Sequence, residues 1–235
     1  MAQMNPRHQY WMWEKALTPE QCQDIKDAGD PILGNTKNKN ATVYVGEGRK
    51  GLDTNIRICD VAWMNHSWMY ELLHPFVNMA NESAGWNYQW DFSESCQYTV
   101  YNKGGFYGWH TDQGNSCNQG AYRYIHNDFI VGDVGTTIAP CITDNPTDNP
   151  NLDGKIRKIS MTVNLDEPDD YEGGDLEFDF GILHRKNATR FKTMAEIRPQ
   201  GSIVVFPAYT YHQVQEVTEG KRHSLVMWSC GEPYK

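Results

Sequence analysis

The chain has 235 residues, of which 39% are apolar, and its formal net charge at pH 7 is −9. This length predicts a single domain over residues 1–235, because β-sandwiches and barrels commonly reach it. The acidic balance argues against nucleic acid as a partner. The sequence also lacks an apolar stretch of about 18 residues, which argues against a membrane partner.

The N-terminus and the cysteines indicate a cellular location. No apolar run follows the first charged residues, as a secretory signal would require. The six cysteines are scattered without the spacing of a disulfide framework. We therefore expect reduced, mostly buried thiols and a cytoplasmic protein.

Two helices are predicted in the first third of the chain. Thr18 and Gln21 match a capping box with Pro19 at the first helical position, which predicts a short helix ending near Gly29. A second helix is predicted over 68–80, with its apolar stripe against the core. That stripe consists of Trp68, Leu72, Phe76 and Met79. Between the helices, residues 34–54 are rich in Asn, Lys and Gly and are expected to form an exposed loop.

The second half of the chain predicts strands around one long connection. Residues 113–156 carry few periodic apolar residues, and a loop of that length is typically a functional lid or a mobile insertion; 122–126 is its one candidate ordered patch. Residues 159–165 alternate cleanly and predict a strand with Ser160, Thr162 and Asn164 on one face. That polar face either lines the inside of the fold or meets water at an edge strand. Gly173 and Gly174 predict a tight bend.

The pattern that indicates a metal site is His110-Thr111-Asp112 followed by His212. In an extended strand residues i and i+2 point to the same side, so His110 and Asp112 converge if that segment is extended. His212 lies in a strand-like region and supplies a third ligand from another strand. Two histidines and one carboxylate are the facial set that non-haem Fe(II) sites use. An isolated His-x-Asp is also compatible with a helix cap or a surface turn. Zinc, the competing metal, favours cysteine or additional histidine ligands.

Arg222 lies beyond the last candidate ligand. An arginine can bind a carboxylate through two parallel hydrogen bonds. Residues 218–220 read as a three-residue hairpin loop with Gly220 in the left-handed position. In that register Glu216 opposes Arg222, so Arg222 shares a face with His212.

Five ordered blocks between about residues 52 and 230 resemble the Fe(II)/2-oxoglutarate-dependent oxygenases of the prolyl 4-hydroxylase type. The blocks are 97–101, 104–112, 157–165, 171–176 and 201–228. The resemblance implies a mainly β fold with flanking helices (α+β), built on a double-stranded β-helix, or jelly-roll, core. The core is expected over about 96–232, with an N-terminal helical support over about 1–95. Animal prolyl 4-hydroxylases carry lysine where this chain has Arg222, so the resemblance is to the bacterial and viral branch.

The same resemblance implies the site and its cofactors. His110, Asp112 and His212 would bind Fe(II), and Arg222 would bind the distal carboxylate of 2-oxoglutarate. O2 is the second cosubstrate and ascorbate a further candidate cofactor. Other cosubstrate candidates are Tyr101, Ser160 and Thr162. Candidate substrate contacts are the aromatic residues Tyr107, Trp109, Tyr124 and Trp228.

The implied reaction converts 2-oxoglutarate and O2 into succinate and CO2 while a C–H bond is hydroxylated. A protein or peptide substrate with prolyl 4-hydroxylation is the leading hypothesis, because aromatic surface suits proline rings in an extended chain. Hydroxylation of a free amino acid or other small molecule is the alternative, since specificity is determined by loops. A non-catalytic jelly-roll binding module is a further one. A nucleic-acid demethylase would typically add a second arginine where this chain has Trp228. The oligomeric state stays open.

Overall fold

The computed structural model describes residues 7–35, 43–44, 50–51, 53–113, 150–152, 155–180 and 191–234. The predicted loops 34–54 and 113–156, with the patch 122–126, fall mostly outside these residues. Every strand pair in the described ranges is antiparallel. None of the helices in these ranges has the length and apolar character needed to cross a bilayer.

The larger sheet, called here the major sheet, has eight strands. They are β1 (Trp11–Trp13), β5 (Asp60–Met64), β6 (Phe92–Ser93), β7 (Cys96–Asn102), β9 (Ile156–Asn164), β10 (Tyr171–Gly173), β13 (Ile203–Pro207) and β15 (Val217–Gly231). Its main path runs β1-β13-β9-β15-β7-β5, with β6 and β10 paired to β15.

The smaller sheet, the minor sheet, has five strands in the order β12-β11-β14-β8-β4. They are β4 (Arg57–Ile58), β8 (Phe106–His110), β11 (Leu176–Asp179), β12 (Phe191–Thr193) and β14 (Tyr211–Val214). A separate pair joins β2 (Val43–Tyr44) and β3 (Lys50–Gly51), and single turns of 3-10 helix occur at Pro150–Leu152, Pro168–Asp170 and Ala195–Ile197. The two facing sheets form the double-stranded β-helix that the family resemblance implies.

Two apolar clusters separate the layers. One packs the two helices against the major sheet and includes Ile25, Leu73, Met161 and Leu225. The other lies between the sheets and includes Phe178 from the minor sheet.

The two faces of β9 meet different layers. Alternation along this strand directs Met161 and its apolar partners toward the helices. Ser160, Thr162 and Asn164 point between the sheets and are buried. Because β9 lies between β13 and β15, its polar face does not belong to a solvated edge strand.

The N-terminal part is less helical than predicted. Besides α1 (Pro19–Asn35) and α2 (Ser67–Ser83), it contributes strands to both sheets, namely β1, β4, β5 and β6. The predicted capping box is present: Thr18 Oγ1 accepts the Gln21 N–H at 3.2 Å, and Gln21 Oε1 accepts the Thr18 N–H at 2.9 Å.

The predicted end of the first helix is wrong. The helix continues to Asn35, and Gly29 lies inside it against the ring of Tyr98. Here the glycine allows close packing and does not terminate the helix.

The buried stripe of α2 is also offset from the prediction. The buried residues are Met69, Leu73, Val77 and Ala80, whereas Trp68 and Met79 are exposed. Leu72 and Phe76 are partly buried beside the core. Periodicity alone does not choose between two neighbouring apolar stripes of one helix.

Gly29→Ala is expected to lower the free energy of unfolding by about 1–3 kcal/mol, as overpacking typically does. A Cβ at this position would lie 2.4 Å from Cδ1 of Tyr98. Tyr98 cannot easily yield, because it is fully buried and its hydroxyl donates to Asp30 at 2.8 Å. Gly34 lies in the same helix with nothing within 4 Å, so Gly34→Ala is the matched control and is expected to be neutral or stabilising. Urea denaturation of both variants checks this; equal stability would contradict the packing argument.

Candidate metal and cosubstrate site

Three side chains that could bind a metal converge at the end of the minor sheet. His110, the last residue of β8, and His212 in β14 are direct partners across the two strands. Asp112 follows two residues after the end of β8, in a bend and not in the extended strand we expected. Its Oδ1 lies 3.7 Å from Nε2 of His110, and its Oδ2 lies 3.7 Å from Nε2 of His212. One potential ligand atom from each residue falls within 4.8 Å of the others.

Both imidazole rings are held by the backbone. Nδ1 of His110 lies 2.8 Å from the carbonyl of Gly108, and Nδ1 of His212 lies 2.9 Å from the carbonyl of Thr210. A carbonyl can only accept, so each Nδ1–H donates, and Nε2 is the nitrogen that carries the lone pair when the ring is neutral. This is the orientation of metal-binding histidines, whose other ring nitrogen is bonded to a carbonyl or carboxylate.

The electrostatic environment favours the protonation states that bind a metal. Burial, reinforced by the neighbouring His212, lowers the pKa of His110 to about 3, so its imidazole is neutral near pH 7. Burial alone would raise the pKa of Asp112. The two histidines, Arg157 and the Ser160 hydroxyl outweigh burial and hold that pKa below its usual value. One carboxylate and two imidazoles are the donor set of a facial Fe(II) site, and the residues therefore fit that metal.

Ser160 contacts the candidate ligand Asp112. Its hydroxyl donates to Oδ2 of Asp112 at 2.7 Å across the gap between the sheets. Sequence analysis assigned this residue to the cosubstrate because of its place on the polar face of β9. In the structure it bonds to Oδ2 of Asp112 and so fixes the orientation of the carboxylate.

Ser160→Ala is expected to weaken Fe(II) or Mn(II) binding by roughly 10-fold to 100-fold, the range seen when a partner of a metal ligand is removed. The stoichiometry should stay at about one metal per chain, since all three candidate ligands remain. Ser229 is a buried serine on the same sheet whose hydroxyl pairs with Ser93 at 3.2 Å, away from Asp112. Ser229→Ala is therefore the control. Equal metal affinity in the two variants, measured by titration, would refute a role for Ser160 in orienting the ligand.

Arg222 lies in the major sheet, and its predicted register is wrong. Residues 218–220 do not form a hairpin loop, because they belong to β15, where Glu219 and Gly220 pair with β10. The chain turns earlier, at 215–216. Arg222 is opposite Tyr101 of β7 in the major sheet. Because His212 lies in the minor sheet, the two residues do not share a strand face.

The guanidinium of Arg222 is buried and incompletely bonded. The residue is 3% exposed, and its Nη1 has no hydrogen-bond partner within the described ranges. A Cβ at Gly174 would approach Arg222 Cδ to 3.1 Å, so the predicted glycine bend also leaves room for the arginine. A buried cation needs a compensating charge. This arrangement fits an anionic ligand between the sheets, such as a carboxylate.

The other predicted cosubstrate residues lie on the same face of the major sheet as Arg222. Tyr101 is buried, and the centre of its ring lies 5.6 Å from Cζ of Arg222. Thr162 lies two residues after Ser160 on the inward face of β9 and is opposite Val226 of β15.

The aromatic residues that were predicted to contact the substrate do not lie together. Tyr107 stacks on His110, with ring centres 3.6 Å apart. Trp228 lies opposite Ser160 on the inward face, with the guanidinium of Arg157 3.8 Å above its ring. Trp109 is adjacent to His110 in β8 and therefore faces the other way, where it stacks on Tyr211 and contacts the tilted ring of Phe191. Tyr124 lies outside the described residues.

Arg157 is a site residue that sequence analysis did not identify. Its Nε and Nη2 donate to the two carboxylate oxygens of Glu94 at 2.5 and 2.7 Å, and its Nη1 lies 3.4 Å from the backbone carbonyl of Asp112. Trp63 was also missed, and its ring centre lies 6.0 Å from that of Trp228. The sequence marks Arg157 only as a charged residue at the start of an alternating strand. Such residues are common where a strand begins at the protein surface.

The chain resembles known proteins in both sequence and fold. The family model described as the 2OG-Fe(II) oxygenase superfamily matches residues 96–230. A "PKHD-type hydroxylase" from Hyphomonas neptunium is 36% identical over 85 residues, which is 34% of this chain and 34% of that protein. The matched part thus spans about a third of the curated relative's length.

Solved structures resemble nearly the whole fold. A prolyl-4-hydroxylase from Pseudomonas putida covers 94% of this chain and 92% of its own at 16% identity, with a TM-score of 0.55. A Trichoplax adhaerens prolyl hydroxylase, solved with a peptide of hypoxia inducible factor, covers 94% of this chain and 83% of its own at 12% identity, with a TM-score of 0.56. At these identities the likeness is one of fold.

Proposed function

Because the chain belongs to the 2OG-Fe(II) oxygenase superfamily, we propose that it is an Fe(II)- and 2-oxoglutarate-dependent dioxygenase that hydroxylates a prolyl residue in a protein or peptide. The observation that carries the proposal is the convergence of His110, Asp112 and His212, with the Nδ1 atom of each histidine bonded to a backbone carbonyl. When bound, the iron supplies the oxidative chemistry: 2-oxoglutarate and O2 become succinate and CO2, and one oxygen atom enters the C–H bond of the substrate.

The residues of this chain have positioning roles in that reaction. His110, Asp112 and His212 hold one face of the metal and leave the opposite positions for the cosubstrates. Arg222 binds the distal carboxylate of 2-oxoglutarate, with Tyr101 and Thr162 beside it. No side chain is required as an acid or base for the oxidation itself.

A polypeptide substrate is supported by the aromatic surface beside the ligands. Trp228 on the inward face of the major sheet is buried, and the half-exposed Trp63 next to it supplies the accessible aromatic surface. Flat aromatic surfaces suit the rings of an extended, proline-containing segment. The two solved structures of similar fold are prolyl hydroxylases, and one of them holds a peptide.

The test is an assay of substrate and cosubstrate together. Purified protein with Fe(II), 2-oxoglutarate and O2 is offered proline-rich peptides, the same peptides with alanine in place of proline, and free amino acids. We expect succinate release coupled to a mass increase of about 16 Da at proline, which is the one oxygen atom added by hydroxylation. Ascorbate is included in one arm, and a dependence of turnover on it would identify it as a cofactor.

The outcomes separate the candidate functions. Turnover of a free amino acid with none on any peptide would replace the proposal with a small-molecule hydroxylase. Binding of metal and 2-oxoglutarate without succinate release on any substrate would favour a non-catalytic binding module.

A further inference from the structure

Two arginine side chains are buried between the sheets close to one tyrosine. Arg57 in β4 is 6% exposed and Arg222 in β15 is 3% exposed. Within the described ranges, neither forms a salt bridge with a carboxylate, and each has one buried guanidinium nitrogen without a hydrogen-bond partner, Nη2 of Arg57 and Nη1 of Arg222. Buried charges are ordinarily paired, so both cations lack an expected partner.

The contacts of Arg57 do not compensate its charge. Its Nε–H donates to Sγ of Cys59 at 2.9 Å, and its Cζ lies 4.3 Å from the centre of the Tyr107 ring. A thiol is a weak acceptor, and a cation–π contact is only a partial substitute for an anion. None of the positioning roles in the proposed reaction involves Arg57.

Both guanidinium groups act on Tyr101. Arg222 is its direct partner across β7 and β15, with Cζ 5.6 Å from the ring centre. Burial raises the pKa of the Tyr101 hydroxyl well above its usual value, with a contribution from Cys59. Arg57 and Arg222 each counteract part of that increase. The packing agrees, because Cys59, which accepts the hydrogen bond from Arg57, belongs to the same buried cluster as Tyr101.

We infer that Arg57 is a second binding residue for the distal carboxylate of 2-oxoglutarate, which is held between Arg57 and Arg222 beside Tyr101. The inference rests on the proposed function for the identity of the ligand. A carboxylate offers about four lone-pair positions and can accept from both arginines at once. One carboxylate then accepts hydrogen bonds from both buried guanidinium groups, which have no carboxylate partner among the described residues.

The test measures ligand binding without turnover. Protein loaded with Mn(II) in the absence of O2 is titrated with 2-oxoglutarate and with 2-oxovalerate, which has the same carbon chain but a methyl group in place of the distal carboxylate. Arg57→Gln is expected to weaken 2-oxoglutarate binding by at least about tenfold, as loss of a charged hydrogen bond does. Its affinity for 2-oxovalerate should change by less than about twofold, because that ligand has no anion for Arg57 to bind.

Further variants separate binding from structural effects. Lys155→Gln is the control, because Lys155 is a partly buried cation paired with Asp91 at 2.7 Å, just before β9 and at the Gly231 end of β15. It should leave the affinities for both ligands unchanged. Arg57→Lys keeps the charge without the planar fork and should lose part of the affinity for 2-oxoglutarate alone. If Arg57→Gln does not fold, this variant decides the question.

The outcomes distinguish this inference from the proposed function. Equal weakening of both ligands, or no weakening of either, would overturn the role of Arg57. Failure of the unmodified protein to bind Mn(II) or 2-oxoglutarate would overturn the proposed function, and the inference with it.

Discussion

His212→Ala is expected to abolish stoichiometric binding of Fe(II) or Mn(II), whereas the unmodified protein should bind one ion per chain. His212 supplies one of three candidate ligand atoms, and its ring is already oriented by the Thr210 carbonyl. Removing it leaves one imidazole and one carboxylate, which cannot form the facial set. His110→Ala should behave in the same way. Metal content after equilibrium dialysis, measured by atomic emission, gives the result directly.

His74→Ala is the control for this experiment. His74 is half-buried and its Nε2 lies 3.1 Å from Ser93 Oγ, outside the ligand group. This variant should keep one metal per chain. Stoichiometric metal in both His110→Ala and His212→Ala would contradict the ligand assignment.

Arg222→Ala is expected to raise the concentration of 2-oxoglutarate needed for binding by roughly 10-fold to 100-fold, with metal binding nearly intact. A hydrogen bond to a charged group contributes about 1.5–3 kcal/mol, and a paired arrangement contributes more. Arg222→Lys should restore only part of the affinity, because lysine loses the planar fork. Titration of 2-oxoglutarate into the Mn(II)-loaded protein measures both variants.

Lys221 provides the neighbouring control, since it is the preceding residue of the same strand and its side chain is exposed. Lys221→Ala removes one positive charge without touching the space between the sheets and should leave the affinity unchanged. Unchanged affinity in Arg222→Ala as well would show that another residue binds the distal carboxylate.

The candidate metal ligands could be predicted because their chemistry is local in sequence. His110 and Asp112 are two residues apart, and a strand-like pattern surrounds His212. The prediction did not require correct strand geometry: β8 ends at His110, and the bend that follows brings Asp112 between the two histidines.

The position of Arg222 shows where sequence reasoning reaches its limit. A glycine after two polar residues is a typical hairpin signal, but Gly220 has a positive φ for another reason. A Cβ there would lie 2.1 Å from the carbonyl oxygen of Asp170, so the glycine permits close approach of β10. The register depends on that contact, which is 50 residues away in the sequence and not visible in the local pattern.

Arg57 and Arg157 could not be recognised for a related reason. Each is a single charged residue beside a strand, and such residues are usually solvated. Their burial results from sheet pairing, which places Arg57 under Tyr107 and Arg157 over Trp228. Only the three-dimensional arrangement shows that Arg57 is buried and Arg157 partly so.

The alternation along β15 has a consequence for how sequence changes act on this protein. Leu225 and Met227 belong to the helix-side cluster, whereas Arg222 and Trp228 face the other sheet. Substitutions at odd-numbered positions from 223 to 229 should therefore reduce the amount of folded protein, and those at even-numbered positions should reduce activity at nearly normal abundance. Deleting one residue within this stretch would exchange the two sets. The strand should tolerate some substitutions but no change of length.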